Sequence, residues 1–233
     1  MTVLGVSGQK LTRMRGCAVS ENSQAIGARL NERLALAGLD RLDPTLAAGF
    51  GDYCSLLQRW NARFNLTAIR DEEGILTRHF VESIACARAL PAGIAALLDF
   101  GSGAGFPGIP IALCRPEIAV TLAESQGKKA AFLQEAIRQL GIPAKIHARR
   151  AELLTVAFDC VTLRAVDRME LAVMAASRLV RPGGWLAPMT TGGELEKVKQ
   201  AAGAEFSWTR LLPLPGSADR LLALGERSVS SPA

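Results

Sequence analysis

The chain has 233 residues, of which 49% are apolar, and 27 Lys and Arg against 22 Asp and Glu give it a net charge of +5. That length can bury one α/β core but would be cramped for two full domains. Five scattered cysteines without a C-x-x-C pair argue against a disulfide framework and predict no metal site. No apolar run approaches the roughly 20 residues that cross a bilayer, and no signal peptide is recognisable, so we expect a cytoplasmic protein with no membrane partner.

The front of the chain predicts helices and no convincing strand. Residues 1–21 combine glycines and polar side chains with three cations, which predicts a mobile extension, and Met14 offers an alternative translation start. Two amphipathic helices follow, and Trp60 and Phe64 lie on the apolar stripe of the second, so we expect both rings in the core. Residues 72–90 predict a third helical segment.

From residue 95 onward, candidate strands and helices alternate as in a βαβ sheet. The helix patterns cover 128–140 and 168–180, and Pro-Gly-Gly at 182–184 predicts a turn before the next strand. The candidate strands cover 95–99, 118–123, 144–148, 159–163, 185–189, 206–212 and 220–224. This pattern predicts one domain over 22–233: an α/β core over 95–233, built on a seven-stranded, mostly parallel, Rossmann-like sheet, with a helical N-terminal part over 22–94.

A glycine-rich turn follows the first candidate strand. Gly101 and Gly103 come just after Asp99, and glycines at such a point let the backbone approach a nucleotide-like ligand. A dinucleotide fingerprint would need glycine at Phe106, and no Lys-Ser/Thr pair completes a phosphate-binding loop. The layout fits an S-adenosylmethionine pocket better, because Glu124 ends the second strand, where it would accept hydrogen bonds from two ribose hydroxyls.

Longer motifs support this interpretation across most of the span 50–225. They are WNARFNLTAIRD at 60–71, RHFVESI at 78–84, DFGSGAGFPGIPIAL at 99–113, ESQGKKAAFL at 124–133, RRAE at 149–152, LRAV at 163–166 and PGG at 182–184. On these motifs the chain resembles the GidB family, the small-subunit ribosomal RNA methyltransferase G enzymes. The resemblance implies transfer of a methyl group from S-adenosylmethionine to N7 of a guanine in 16S ribosomal RNA near the decoding region. The RNA or the small ribosomal subunit would be the partner, and no oligomer is implied.

The family's cofactor contacts map onto this chain residue by residue. They fall at Gly101, Phe106, Glu124, Ala151, Glu152 and Arg164, and the glycine spacing adds Gly103. One departure is Thr191, where many relatives carry a lysine before a glycine, so a positive charge that would attract RNA is missing. The family's basic residue near the last strands is retained as Arg220.

Arg164 is the side chain that we expect to act in the catalytic region. It ends the fourth strand, and its guanidinium suits either the cofactor carboxylate or a phosphate of the target nucleotide. Guanine N7 carries a free lone pair and needs no general base, so we expect Asp99 to contact the donor through water or to cap the next helix. The candidates for RNA binding are Arg70, Arg78, His79, Lys128, Lys129 and Arg220. For His79, a packing role in a helix is the alternative. For Trp60 and Phe64, base stacking is the alternative to a place in the core.

Two other functions stay open on the sequence. One is a methyltransferase of the same fold that acts on a protein or a small metabolite. The other is a protein that binds S-adenosylmethionine or ribosomal RNA without catalysis. The joint presence of Gly101, Gly103, Glu124 and Arg164 weighs against the second alternative, because a degraded site would have lost at least one of them.

Overall fold

The computed structural model describes residues 20–229. The predicted extension over 1–21 and the alternative start at Met14 therefore lie outside the described residues, apart from the last two positions of the extension. Ser20 caps the first helix by accepting a hydrogen bond from the Ser23 N–H, and Glu21 is the first helical residue.

Helices cover the N-terminal half and alternate with strands in the C-terminal half. The longer helices begin at capping residues or turns: Asp43, for example, accepts hydrogen bonds from the first N–H groups of α2. The α-helices are α1 (Glu21–Leu36), α2 (Pro44–Phe64), α3 (Glu72–Gly74), α4 (Glu82–Ala89), α5 (Gly108–Cys114), α6 (Gly127–Leu140), α7 (Met169–Arg178) and α8 (Leu195–Ala202). Short 3₁₀ turns at Ala151–Leu153 and Gly192–Glu194 complete the set.

The predicted helix over 72–90 is not one regular helix. Between α3 and α4 the backbone forms a π-helical segment, Ile75–Val81, which continues directly into α4. A π turn is wider than an α turn, so it changes which residues face inward. Residues 80–84, at the junction of this segment with α4, are all buried, so Glu82 lies inside the molecule.

Seven strands form one mixed sheet in the order β3-β2-β1-β4-β5-β7-β6. The strands are β1 (Ala96–Phe100), β2 (Ala119–Ala123), β3 (Lys145–His147), β4 (Phe158–Arg164), β5 (Val180–Thr191), β6 (Phe206–Pro213) and β7 (Arg220–Arg227). The first five pair in parallel, and β7 runs antiparallel between β5 and β6. The predicted seven-stranded, mostly parallel sheet is confirmed.

The predicted turn at 182–184 lies inside a strand. Val180 already pairs with Phe158, and the next pair joins Trp185 to Cys160, so β5 holds three more residues than β4 over this stretch. The Pro-Gly-Gly run is therefore a bulge in β5, and the expected start of that strand at residue 185 is wrong. The run belongs to the strand because the residues on both sides of it pair with β4. A bulge lets a strand keep its partner while it accommodates extra residues.

Apolar side chains cover both faces of the sheet. Successive residues of a strand point to opposite faces, and on β1 Leu97 joins the larger cluster while Leu98 joins the smaller one. The larger cluster includes buried residues of α1, α2, α4, α5 and α6, whereas α7 and α8 contribute to the smaller one. The N-terminal helices and one face of the sheet thus share one core.

The two rings predicted for the core differ in burial. Trp60 is partly buried and packs against the larger cluster. Phe64 is 39% exposed, so its prediction as a core residue is wrong. Phe64 is the last residue of α2, where the helix has no further turn to cover the ring. Within residues 20–229, no helix is both long enough and apolar enough to span a membrane.

Candidate active site

The glycine-rich loop joins β1 to α5 at the carboxyl edge of the sheet. Gly101 and Gly103 both adopt positive φ, at 71° and 57°, which strains any residue with a side chain. A Cβ on Gly101 would come within 2.6 Å of Val166 Cγ1, whereas a Cβ on Gly103 would have only the Gly101 carbonyl oxygen within 4 Å. The loop therefore packs on Val166 at Gly101 and leaves open space beside the backbone of Gly103.

Glu124 ties the end of β2 to this loop. Its carboxylate accepts a hydrogen bond from the Gly103 N–H at 2.9 Å and another from the Gln126 N–H at 2.7 Å, one on each oxygen. The residue is 7% exposed. A carboxylate oxygen can accept more than one hydrogen bond, so both oxygens retain capacity for a donor that approaches from the open side.

Ala151 and Glu152 lie beside Glu124 in strand order. They form the start of the 3₁₀ turn after β3, and β3 is the neighbour of β2. Ala151 is buried and Glu152 is exposed. The carboxyl ends of β1, β2 and β3 thus bring Gly101, Gly103, Glu124 and Ala151 to one edge, as expected for the ligand side of a parallel sheet.

Asp99 is fully buried beneath the loop. Its carboxylate accepts hydrogen bonds from the Gly108 N–H and the Thr162 hydroxyl, each at 3.1 Å. Gly108 is the first residue of α5, so Asp99 bonds the N-terminal end of this helix, as one of its two predicted roles requires. Burial raises the pKa of Asp99 from 3.8 to about 6, although these hydrogen bonds partly oppose the shift.

Arg164 lies in a buried ion cluster with Glu82 and Arg220. Its Nη2 donates to Glu82 Oε2 at 2.9 Å and to the Arg78 carbonyl oxygen at 2.6 Å, while Arg220 Nε donates to Glu82 Oε1 at 3.0 Å. The Glu82 side chain is completely buried, and the side chains of Arg164 and Arg220 are 11% and 27% exposed. Burial lowers the pKa of Arg164 below its usual value, and Glu82 acts in the opposite direction. The Nη1 atom of Arg164 is buried without a hydrogen-bond partner within residues 20–229.

His79 and Phe106 stack between the helices and the glycine loop. Their ring centroids are 4.4 Å apart with an angle of 16° between the planes, and Phe106 also lies 5.4 Å from Tyr53. His79 Nε2 is 2.9 Å from Thr67 Oγ1, and His79 Nδ1 is buried without a partner among the described residues. Burial, with help from the charges of Arg164 and Arg78, lowers the pKa of His79 to about 3, so the ring is neutral at physiological pH.

Comparison with known proteins assigns the family. The family model described as rRNA small subunit methyltransferase G matches residues 47–208. The chain belongs to the GidB family. A protein from Stenotrophomonas maltophilia (strain K279a), named Ribosomal RNA small subunit methyltransferase G, is 41% identical over 198 residues, 83% of this chain and 91% of that protein. Another of this name, from Xanthomonas axonopodis pv. citri (strain 306), is 44% identical over 151 residues, covering 64% and 70%.

Solved structures share the fold at low sequence identity. A protein from Agrobacterium tumefaciens, described as a predicted O-methyltransferase, has a TM-score of 0.54 at 19% identity and covers 63% of this chain and 80% of that one. TYW2 of P. horikoshii, solved in complex with MeSAdo, has a TM-score of 0.54 at 14% identity, with 64% and 62% covered. This GidB protein therefore has the fold of the Rossmann-like S-adenosylmethionine-dependent methyltransferases.

The cations predicted to bind RNA fall into two groups. Arg220 donates to Glu82, and the Arg78 carbonyl oxygen accepts from Arg164, which also pairs with Glu82. His79 follows Arg78 and stacks on Phe106, and Arg220 is paired with Thr191 across β5 and β7. Thr191, where the family resemblance implied a missing lysine, thus has a cation opposite it. The other group lies at the junction of α2 and α6. Arg70 donates to the side chain of Asn65, the residue after Phe64. Lys128 of α6 lies over the Phe64 ring, and Lys129 is the next residue of α6. Lys128 is exposed and Lys129 is partly buried.

The sequence motifs did not identify Glu82 and Tyr53 as site residues. Tyr53 is buried, and its hydroxyl donates to the Ala104 carbonyl, so it anchors the glycine loop from α2. A carboxylate in the apolar stretch Phe-Val-Glu-Ser-Ile was the available signal for Glu82, because an acid on a buried helix face needs a cationic partner. The cationic partners are Arg164 and Arg220, which lie far from Glu82 in the sequence.

Proposed function

We propose that this GidB protein transfers the methyl group of S-adenosylmethionine to N7 of a guanine in 16S ribosomal RNA near the decoding region, and that it acts in the cytoplasm. The match of the family model over residues 47–208 carries this proposal, since it includes both the glycine loop and Glu124. The family relatives are named for small-subunit ribosomal RNA methylation. The modified atom and its position in the RNA are implied by the family resemblance.

The carboxyl edge of the sheet fits S-adenosylmethionine. The open backbone of Gly103 and the remaining acceptor capacity of Glu124 suit a ribose, and the turn at Ala151 and Glu152 would border the adenine. When bound, the cofactor supplies a methyl group on a sulfonium, which is already an activated leaving group. The chain's own contribution is to hold donor and acceptor in line.

Arg164 is the residue that we assign to the point where donor and acceptor meet. It ends β4, next to β1 in the sheet, and its buried Nη1 has no partner in the described part of the chain. A buried guanidinium N–H without an acceptor is costly, so a carboxylate or phosphate oxygen is the group that would complete it. Glu82 and the Arg78 carbonyl fix the other side of the guanidinium and so orient this free donor.

The ionisable groups of the site suit an acceptor that needs no deprotonation. Asp99 lies under the loop with both oxygens bonded, and Tyr53 is protonated because burial raises its pKa well above 10. His79 is neutral, but its Nε2 is engaged by Thr67 and its ring is stacked on Phe106. Guanine N7 attacks with its own lone pair, so these groups are required to shape the site and not to accept a proton from the acceptor.

The test is a methyl-transfer assay with product identification. Purified protein is incubated with methyl-labelled S-adenosylmethionine and small ribosomal subunits that lack the modification, and the digested RNA is analysed for the labelled nucleoside. Label in 7-methylguanosine is the expected result, and fragments of the RNA isolated before digestion should place it at one position near the decoding region. Label in another nucleoside would overturn the N7 assignment. Cofactor binding without any transfer to RNA would favour the alternatives of a non-catalytic binder or a different acceptor.

A further inference from the structure

A surface groove lies between α2 and α6, and none of the loops of the candidate active site lines it. Its volume is about 530 Å³, within the range of ligand-binding pockets. The residues that line it include Leu56, Arg59, Trp60, Arg63, Phe64 and Glu135. We call it the α2–α6 groove. Neither the cofactor contacts nor the ion cluster around Glu82 uses any of these residues.

One end of the groove is an exposed aromatic platform. Phe64 is the only aromatic residue among the large apolar side chains of residues 20–229 that are exposed. Trp60 lies 5.3 Å from Phe64, and its ring is fixed from behind by an edge contact to Phe132, with centroids 5.7 Å apart. A ring held in this way loses little freedom when another flat group stacks on it.

The rim of the groove is cationic. Arg59 and Arg63 are exposed, and neither forms an ion pair in the part of the chain that the structure describes. Lys128 Nζ lies 5.5 Å from the centroid of the Phe64 ring. The one acid that lines the groove, Glu135, is bound by Arg138, which donates to it at 2.7 Å. The groove therefore offers aromatic faces to a base and unpaired cations to a phosphate backbone.

The Phe64 end of the groove lies beside the first turn of α6, the helix that follows Glu124. Lys128 is the second residue of α6, which begins three residues after Glu124. Glu135, the residue of α6 that lines the groove, lies eight residues after Gly127, the first residue of this helix. At 1.5 Å per residue, the groove therefore extends about 12 Å from the start of α6. A single strand that crosses the candidate active site would reach Phe64 and Lys128 first.

We propose that the α2–α6 groove binds an unpaired base of the ribosomal RNA substrate, stacked on Phe64 and Trp60, with the neighbouring phosphates on Arg59, Arg63 and Lys128. This inference rests on the proposed function for the identity of the strand. Stacking on aromatic side chains combined with a cationic track is the usual way in which proteins bind single-stranded nucleic acids without reading their sequence. The cations of the rim favour RNA over an apolar partner. The exposed aromatic faces beside them favour a polyanion that carries bases over an acidic peptide.

The experiment compares two probes that differ only in their bases. Binding of oligoadenylate and of an abasic strand with the same backbone is measured for the wild-type protein, Phe64→Leu and Arg59→Gln/Arg63→Gln. Leu keeps an apolar side chain at an exposed position and removes only the aromatic face. Leu211→Ala and Arg210→Gln are the matched controls, because both residues are exposed and lie on β6, at the opposite edge of the sheet from β3.

We expect the wild-type protein to bind oligoadenylate at least about fivefold more tightly than the abasic strand, and Phe64→Leu to lose this preference. The double arginine variant should weaken binding of both strands and make the dependence of log K on log salt shallower by about 0.7 for each phosphate that the variant no longer neutralises. With small ribosomal subunits as substrate, Phe64→Leu should raise KM and leave kcat unchanged. The control variants should resemble the wild-type protein in each measurement.

Equal binding of the two strands by the wild-type protein, or an unchanged preference in Phe64→Leu, would overturn the inference. Both readouts are independent of methyl transfer. A wild-type protein that forms 7-methylguanosine but shows no preference for bases would therefore refute the groove proposal and leave the proposed function intact. A protein that prefers bases but methylates no RNA would refute the function alone.

Discussion

The ion cluster around Glu82 makes a quantitative prediction for the variant Glu82→Gln. The Gln side chain has nearly the same volume as Glu, so the change removes one negative charge and leaves two arginines without a counter-ion. The Glu82 side chain is completely buried and that of Arg164 is only 11% exposed, which means that water cannot replace the lost charge at Arg164. Arg220 is 27% exposed and can be partly solvated.

The size of the effect follows from this burial. Removal of one partner from a buried ion pair costs about 3–5 kcal/mol. The amide oxygen of Gln can still accept one hydrogen bond, and Arg220 reaches solvent, so we expect about 3 kcal/mol, the lower end of that range. For a chain of this length the loss corresponds to a decrease in Tm of about 6–12 °C.

Urea unfolding at neutral pH measures the effect directly. The control is Glu196→Gln, which breaks the exposed pair between Glu196 and Lys199 and should cost less than about 0.5 kcal/mol. A double-mutant cycle with Arg220→Gln should show a coupling energy of about 1 kcal/mol or more, since the two side chains are in direct contact. If Glu82→Gln unfolds within about 0.5 kcal/mol of the wild-type protein, the cluster does not stabilise the fold and the reasoning is wrong.

Three further predictions test the loop, His79 and Arg164. Gly108→Ala should destabilise the protein by about 2 kcal/mol or more in urea unfolding, because the new Cβ would lie 2.3 Å from Leu122 Cδ2; Gly127→Ala, with open space around its Cβ, should be nearly neutral. The pKa of His79 is lowered to about 3, so below pH 6.5 the unfolded chain binds a proton that the folded chain does not, and stability falls with decreasing pH. His79→Gln should make that fall shallower by about 1.4 kcal/mol per pH unit between pH 6 and 4.5, and an unchanged slope would contradict the assignment. Arg164→Gln should lower the turnover of methyl transfer at least about tenfold in protein that is still folded, a loss of about 1.4 kcal/mol in transition-state stabilisation; unchanged turnover would remove Arg164 from the active site.

Local patterns were sufficient to predict the order of the elements and to propose part of the candidate site. Apolar residues recur with different periods in strands and helices, so the sequence distinguishes the two kinds of element. Gly101 and Gly103 follow β1 directly and Glu124 follows β2 directly, so neighbouring residues alone predict their positions at the end of a strand. The bulge at 182–184 could not be predicted in this way. Its Pro-Gly-Gly run has the local chemistry of a turn, and only the pairing of Val180 with Phe158 makes it part of β5.

The partners of Arg164 could not be predicted because they are remote in sequence. Glu82 is separated from Arg164 by 82 positions and from Arg220 by 138, and a π-helical segment precedes it. A helical period of 3.6 residues does not describe such a segment, so the pattern over 72–90 indicated burial for the stretch without indicating which face Glu82 would take. Arg164 and Arg220 were both predicted as site residues, whereas the carboxylate that joins them was not.

Phe64 shows the same limit at the end of a helix. The helical period places Phe64 on the same apolar stripe as Trp60. Trp60 does pack against the core, because its ring contacts Phe132 of α6. Phe64 is the last residue of α2, its ring is 39% exposed, and Lys128 from the first turn of α6 lies over it. The apolar stripe thus continues past the point where the core ends. We propose that this helix end, with its aromatic ring beyond the core and beside cations, binds RNA. The sequence alone does not show that α2 and α6 pack side by side, so it could not predict the α2–α6 groove.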